Sequence, residues 1–378
     1  MNVFNELKKI KCKTKREFIK ENKEVIIYGA GNVGRDIYLI LKKYGIKVKF
    51  FIDANAKNLK GQLNNMRIYP LEKIKKPKEK INVIIAIFNA FVNLDEIIGA
   101  LLEKGFNKII TFYEFYFIFS NDLGERFFMQ KREYFLKNKD KIIKTMELFL
   151  DEKSKKLYEQ VIKFRLTGIL KDAPLPDKNY LQYFPDDVPG LEKISSIVDC
   201  GAYTGDTIND LYKKYGKVRE IIAFEPDLKN FIKLCEFVRK NKVANNIFLI
   251  NAGVYSKTGE LYFFNKHTMA SYFSKKGDMR LPVVMLDDIL NNETDLIKMD
   301  IEGLEYDALL GAEKFIKKYI PNLAICVYHR PDDLWKIPNL LNNWNLNYKF
   351  YLRVFWYYTF ELVLFAIKNQ NIKGRKNV

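Results

Sequence analysis

The stretch Ser195–Thr207, SSIVDCGAYTGDT, decides the fold. Ile197 and Val198 are β-branched and lead into Asp199 and Cys200. Gly201 and Gly205 follow, and Asp206 and Thr207 open what reads as a helix. A strand that ends in glycines and continues as a helix is the opening of a βαβ unit, and small residues at its turn let a ligand approach the backbone. In open α/β sheets, ligands bind at the carboxyl ends of the strands. No GKS or GKT follows the glycines, so the turn is not a P-loop. Glu225, in IIAFEP, ends the next predicted strand. An acid there is placed to bind the two hydroxyls of a ribose.

Outward from this stretch, the pattern predicts strands at 196–200, 220–225, 247–252, 295–300 and 323–328. Helices are predicted at 206–215, 229–241 and 306–318. Residues 259–264 read as one arm of a hairpin, and 348–353 with 361–367 as a closing antiparallel pair. A glycine turn with a ribose-binding acid suits a dinucleotide or S-adenosylmethionine (SAM) equally well. Two further motifs decide between them. Ile297–Glu305, IKMDIEGLE, sets Asp300 and Glu302 at a strand end near the expected switch point, and Ala324–Trp335, AICVYHRPDDLW, sets His329 at the end of the next.

DCGAYTGDT, AFEP, NAGVYSKTGELYF, LIKMDIEGLEYDALLGA and AICVYHRPDDLWKIP, in this order and spacing, resemble the FkbM-type methyltransferases over residues 195–367. The resemblance implies a class I SAM-dependent methyltransferase fold and transfer to hydroxyl groups, commonly on sugars, glycans or polyketide-like products. It implies that Asp199, Gly201, Ala202 and Gly205, with Asp206 and Thr207 beside them, form the SAM turn. By the same resemblance Glu225 is the ribose ligand, Asn251 and Ala252 flank the adenine, and Asp300 and Glu302 are the acidic pair near the methyl group. Similar sequences often end in a YLRHY-like segment. Here it reads YLRVF, so Arg353 is kept and Val354 replaces a histidine.

A sugar hydroxyl is a poor nucleophile, so a general base or a metal ion is useful. His329 is the first candidate for base, because imidazole titrates near neutrality. A histidine that only caps the strand end is the competing reading. Asp300 is a candidate second base, metal ligand or anchor for the SAM amino group. Asp300, Glu302 and His329 together could hold a divalent cation. Arg353 joins the catalytic candidates; it, Lys298 and Arg330 either meet a phosphate on the acceptor or pair with nearby acids. His267 falls in an insertion and either covers the acceptor or is a solvated loop residue.

The first half carries its own signature. Val25–Ile37, VIIYGAGNVGRDI, contains Gly29, Gly31, Asn32 and Gly34 in a literal GxGxxG, with a strand expected before it and a helix after it. Asp53 ends the next predicted strand at the fingerprint's distance. Open amides at a helix start suit a phosphate, so this is a second, nucleotide-type site. The segment is about half of a full dinucleotide fold. It resembles the small Rossmann-like domains attached to nucleotide-sugar and glycan-modifying enzymes. A nucleotide or nucleotide-sugar ligand is favoured over a ligand-free scaffold or NAD(P).

The fold expected is α/β: two Rossmann-like three-layer domains joined by a helical connector, the C-terminal one ending in an antiparallel strand. The expected order is a basic N-terminal helix (1–20), a Rossmann-like nucleotide-binding-type domain (21–120), a helical connector and proline-rich loop (121–192), the methyltransferase domain (193–370) and a basic tail (371–378). The connector reads as one or two long helices. The length of 378 residues fits two domains. No apolar run reaches the roughly 18 residues of a membrane span. The first residues lack the apolar core of a secretory signal. Four cysteines without CxxC spacing and two histidines argue against a disulfide framework or structural zinc. A cytoplasmic location is expected.

The net charge of +18 raises nucleic acid as a partner. Most of it lies in residues 1–150, with 30 basic and 17 acidic side chains, so the catalytic half need not suit a polyanion. At most a peripheral membrane contact is expected, and homodimerisation is left open. The reading is therefore SAM-dependent O-methylation of a saccharide, glycan or nucleotide-sugar. Its rivals are an RNA methyltransferase, which lacks a visible RNA module and a DPPY/NPPY signature, and a non-catalytic SAM-binding subunit. A nucleotide-sugar dehydrogenase is disfavoured, since no cysteine- or lysine-centred motif follows the first domain.

Overall fold

The computed structural model of the chain describes residues 4, 13–58, 62–63, 65–76, 81–177, 181–264, 272–274 and 279–369. Most of the predicted N-terminal helix, the basic tail and His267 lie outside the described residues. The chain divides into two compact units. One comprises Met1–Lys137 with Gln160–Pro174, the other Asn138–Glu159 with Leu175–Val378.

The first unit is built on strands β1 (Glu24–Tyr28), β2 (Lys47–Ile52), β3 (Gln62–Leu63), β4 (Met66–Tyr69), β5 (Asn82–Ile85) and β6 (Lys108–Thr111), in the order β3-β4-β2-β1-β5-β6. β1 lies parallel to both β2 and β5. It buries Val25, Ile26 and Ile27, as a strand covered on both faces must. The short β3–β4 hairpin was not expected, nor was the helix Phe112–Leu123. That helix buries Phe112, Tyr113, Phe115, Tyr116 and Phe119 on one face, while Phe117 and Ile118 carry its apolar residues past that face. Its start was legible: Thr111 and Glu114 form a capping box.

The charged stretch expected as one or two long helices forms three: Arg132–Lys137, Lys139–Met146 and Glu152–Thr167. The chain leaves the second so that the Leu150 N–H can donate to the Phe350 carbonyl, 3.0 Å away. Asp151 then accepts the Ser154 N–H at 2.9 Å and starts the third.

In the second unit the strands are β7 (Ser196–Cys200), β8 (Val218–Phe224), β9 (Ala244–Ile250), β10 (Gly253–Val254), β11 (Gly259–Phe264), β12 (Tyr272–Ser274), β13 (Met279–Val284), β14 (Leu296–Met299), β15 (Asn322–Cys326), β16 (Lys349–Val354) and β17 (Leu362–Ile367). The main sheet runs β16-β17-β15-β14-β7-β8-β9, and β10 to β13 make a separate small sheet. β7, β8, β9, β14 and β15 are parallel, while β17 is antiparallel to both β15 and β16. Strand order reverses between β7 and β14, which opens a crevice at their carboxyl ends. The helix predicted over 306–318 is two, Glu305–Leu310 and Glu313–Tyr319. The break falls at Gly311, where a Cβ would stand 2.1 Å from the Tyr255 carbonyl oxygen. Pro338 hid a further helix, Asp333–Asn343, which contains it.

Candidate active site at the switch point

The end of β7 is shaped by contacts that only glycine allows. Gly201 has φ +82°, and a Cβ there would lie 2.0 Å from the Asp300 carbonyl oxygen. Gly205, with φ +95°, starts the helix Asp206–Tyr215, and a Cβ would press on the Phe237 ring at 2.7 Å. The N–H groups of Gly201 and Ala202 both donate to the Phe224 carbonyl at 2.9 Å. This ties the turn to the end of β8, one residue before Glu225.

Glu225 is buried. Its Oε2 accepts the Tyr203 N–H and its Oε1 the Asp227 N–H, each at 2.9 Å. Burial pushes its carboxyl up to about 7 against the pull of those two amides. Asn251 donates through Nδ2 to the carbonyls of Glu225 and Pro226 at 2.8 and 3.2 Å, so it shapes the bend behind the carboxylate. Ala252 and Thr207 are buried beside the turn, and Asp206 is exposed at the helix start.

Asp199 departs from the expected ligand contact. It is fully buried and in register with Lys298 on β14, whose Nζ stands 3.0 Å from its carboxylate. Burial raises Asp199, and Lys298 works against that. Burial opposes the Lys298 ammonium as well, but Asp199 and Asp300 outweigh it and keep the lysine protonated. Lys298 also donates to the Gly201 carbonyl at 2.7 Å. The pair therefore supports the glycine turn from behind, and Lys298 pairs with acids rather than with a phosphate.

Beyond β14 and β15 a cluster forms. Asp300 accepts the Tyr183 phenol on Oδ2 at 2.8 Å, and its Oδ1 stands 3.4 Å from His329 Nε2. Glu302 Oε2 stands 3.8 Å from the same nitrogen, on a side chain that is half exposed. His329 Nδ1 lies 2.9 Å from Glu305 Oε1. Burial disfavours the imidazolium, but the carboxylates of Glu305, Glu302 and Asp300 outweigh it and raise the ring well above its usual value. The carboxylates thus favour the imidazolium, which speaks against His329 as the resting base. Asp300 is the member of the pair able to accept a proton. Among the described residues, two compact groups here could hold a metal ion: Asp300, Glu305 and His329, with Glu305 in place of the expected Glu302, and Asp300, Cys326 and Glu361.

Arg353 does not join this chemistry. Its Nε donates to Asp187 at 2.8 Å, Nη1 to Ser154 and the Leu352 carbonyl, and Nη2 to Asp151 at 2.7 Å and the Asp187 carbonyl. All five guanidinium donors are spent on the chain itself. Arg353→Lys is expected to destabilise the second unit by about 1–3 kcal/mol and to leave kcat within about twofold. Urea unfolding and steady-state kinetics check both. Val354 beside it is buried at the end of β16.

Sequence reasoning missed Tyr183, Gln182, Tyr328, Glu305 and Glu361. Gln182 donates to Glu361 at 2.5 Å and Tyr328 to Glu361 at 2.8 Å. Burial, with the nearby Asp300 carboxylate, pushes Glu361 up to about 8. Tyr183 and Gln182 sit in the proline-rich loop, where no periodicity flags a residue. Glu305 was legible only as the acid following Glu302 in EGLE.

In the first unit, Gly29 has φ +103°, and a Cβ on Gly34 would meet the Gly29 carbonyl oxygen at 2.1 Å, so both must be glycine. Gly31 caps the helix Asn32–Lys43 and has open space around its Cα. Asp53 Oδ2 accepts the Ala30 N–H and Oδ1 the Asn55 N–H, each at 2.8 Å. Its carboxylate thus braces the glycine turn.

Residues 199–357 match the methyltransferase FkbM domain. The chain is similar in structure to a methyltransferase FkbM from Methylobacillus flagellatus KT, with TM-score 0.73, 20% identity and 94% of each chain covered. It is also matched to an rRNA methylase from Streptococcus thermophilus, with TM-score 0.28, 14% identity and coverage of 47% of this chain and 89% of that one. A fibrillarin from Aeropyrum pernix with bound S-adenosyl-L-methionine gives TM-score 0.30, 12% identity and coverage of 49% and 71%. No curated protein matches the sequence. No helix among the described residues is long and apolar enough to cross a membrane.

Proposed function

We propose that this chain, whose residues 199–357 match the methyltransferase FkbM domain, transfers a methyl group from SAM to a hydroxyl of a saccharide-type acceptor. The observation that carries the reading is the Asp300–His329 pair at the switch point, next to the glycine turn and Glu225. A sugar hydroxyl is weakly acidic and gains from a positioned proton acceptor, and carboxylates are good acceptors for the hydroxyls around it.

The residues present fit the cofactor. Gly201 and Gly205 leave the backbone bare, and Glu225 is a buried carboxylate with lone pairs to spare for a diol. Bound there, SAM supplies a methyl group on a sulfonium centre. The chain's part is to hold the acceptor oxygen in line and to receive its proton at Asp300. His329 Nε2 stands 3.4 Å from one oxygen of that carboxylate. Tyr183 fixes its other oxygen.

Glu225 ties cofactor affinity to pH. Ribose hydroxyls donate to the ionised carboxylate, so binding favours deprotonation of a group that titrates near 7 in the free protein. Cofactor affinity is therefore expected to rise as pH goes from 6 to 8. Glu225→Gln should bind weakly and lose that slope in calorimetry. An unchanged slope in the variant would remove Glu225 from the cofactor site.

The acceptor is tested by incubating the protein with methyl-labelled SAM and a panel of oligosaccharides, nucleotide sugars and RNA. Base-stable label on a saccharide, at the mass of one added CH2, is expected. Label on RNA alone would overturn the acceptor class.

A further inference from the structure

We propose that Glu305 is a positioning residue for methyl transfer, holding the His329 ring by Nδ1 so that Nε2 is presented to Asp300. This rests on the proposed acid–base role of the Asp300–His329 pair. Glu305 opens the helix Glu305–Leu310 and is fully buried. Its Oε1 lies 2.9 Å from His329 Nδ1 and also accepts the Ile301 N–H at 2.8 Å. The Gly303 N–H points to the same oxygen at 3.4 Å.

One carboxylate oxygen therefore fixes two things together: the ring, and the loop that carries Asp300 and Glu302. That loop needs fixing. Glu302 sits at φ +57° and Gly303 at φ +92°, a left-handed pair that a non-glycine residue enters only at a cost. With Nδ1 facing Glu305, Nε2 is left at 3.4 Å from Asp300 Oδ1 and 3.8 Å from Glu302 Oε2. An imidazole held through one nitrogen by a buried carboxylate is fixed in orientation and charge at the other. Asp300 then meets the same face of the ring in every turnover.

Glu305→Gln keeps an oxygen for the Ile301 amide and removes the charge facing Nδ1. The expected result is a kcat about 10–100-fold lower, with KM for SAM and the melting temperature near those of the wild type. In a His329→Ala background the same substitution should cost less than about twofold more, because it acts through the ring. Wild-type turnover by His329→Ala would overturn the acid–base reading and the positioning role with it. A slow His329→Ala beside a normal Glu305→Gln, or losses that multiply in the double variant, would overturn the positioning role alone. The chain has only two histidines, so ring nitrogen NMR gives two spin systems, and His329 is identified by its loss in His329→Ala. Its Nδ1 resonance is expected to move in Glu305→Gln or, should that variant not fold, in Glu305→Asp. An unmoved resonance overturns the proposal whatever the activity.

Discussion

Asp300→Asn is expected to lower kcat by about 10²–10⁴-fold, while SAM affinity stays within a few-fold of the wild type. The substitution keeps the shape and one oxygen, so the Tyr183 hydrogen bond can persist and the Asp300 N–H still donates to the Cys200 carbonyl at 3.1 Å. What it removes is the proton acceptor beside His329. The ring is poorly suited to take over, because Glu305 and Glu302 still favour its protonated form. Glu302 stands farther from the ring, at 3.8 Å, and its carboxyl is pushed up to about 7 by burial, so it is the group to which residual turnover would fall. Stopped-flow or quench measurements of a single turnover isolate the chemical step. A single-turnover rate within about threefold of the wild type would assign the proton to water or to another group, since loss of a general base costs far more.

The reading of this site from sequence is most specific where chemistry and backbone geometry share a motif. Gly201 and Gly205 were legible because a tight strand-to-helix turn requires glycine at fixed places, and Glu225 because an acid stood at the end of the next strand. Asp300 and His329 were legible because they end strands at the switch point, and the structure brings them together as that argument implied. For Arg353 the sequence left two readings open, and the structure shows the pairing with acids. A charged residue in a strand that matches a family motif looks functional until Asp151 and Asp187, far away in sequence, are seen to consume it. His329 was located correctly, but its protonation was not. The sequence places Glu302 near it, while Glu305, whose carboxylate faces Nδ1, belongs to a helix expected to start one residue later.

The main sheet was legible as alternating strands and helices, and the antiparallel end as two late apolar runs. The failures have physical causes. The helix Phe112–Leu123 carries Phe117 and Ile118 outside its buried stripe, so the apolar run blurs the amphipathic period in the sequence. Pro338 reads as a breaker, although it lies six residues into its helix, where the helix tolerates it. Gly311 broke a predicted helix through a contact with Tyr255, which no local pattern reveals.

Lys298→Met is expected to destabilise the second unit by about 3–5 kcal/mol, because it leaves Asp199 charged, buried and without its cation. Lys298 and Asp199 are both almost wholly inaccessible and face each other across β7 and β14 in register. The lysine also holds the Gly201 carbonyl, so its loss frees the turn that Glu225 and Asp300 flank. The double variant Lys298→Met with Asp199→Asn should be markedly more stable than the single one, since a neutral amide costs less to bury than an unpaired carboxylate. The two substitutions are in contact, so their energies should not add. If the single variant loses less than about 1 kcal/mol, Asp199 must already be protonated in the native state, as its burial alone would favour. The pair would then be a hydrogen bond between a carboxylic acid and an ammonium, and acidification would leave the turn unchanged. In either case a carboxyl raised by burial holds its proton better in the folded chain than in the unfolded one, so acidification is not expected to unfold the turn through Asp199.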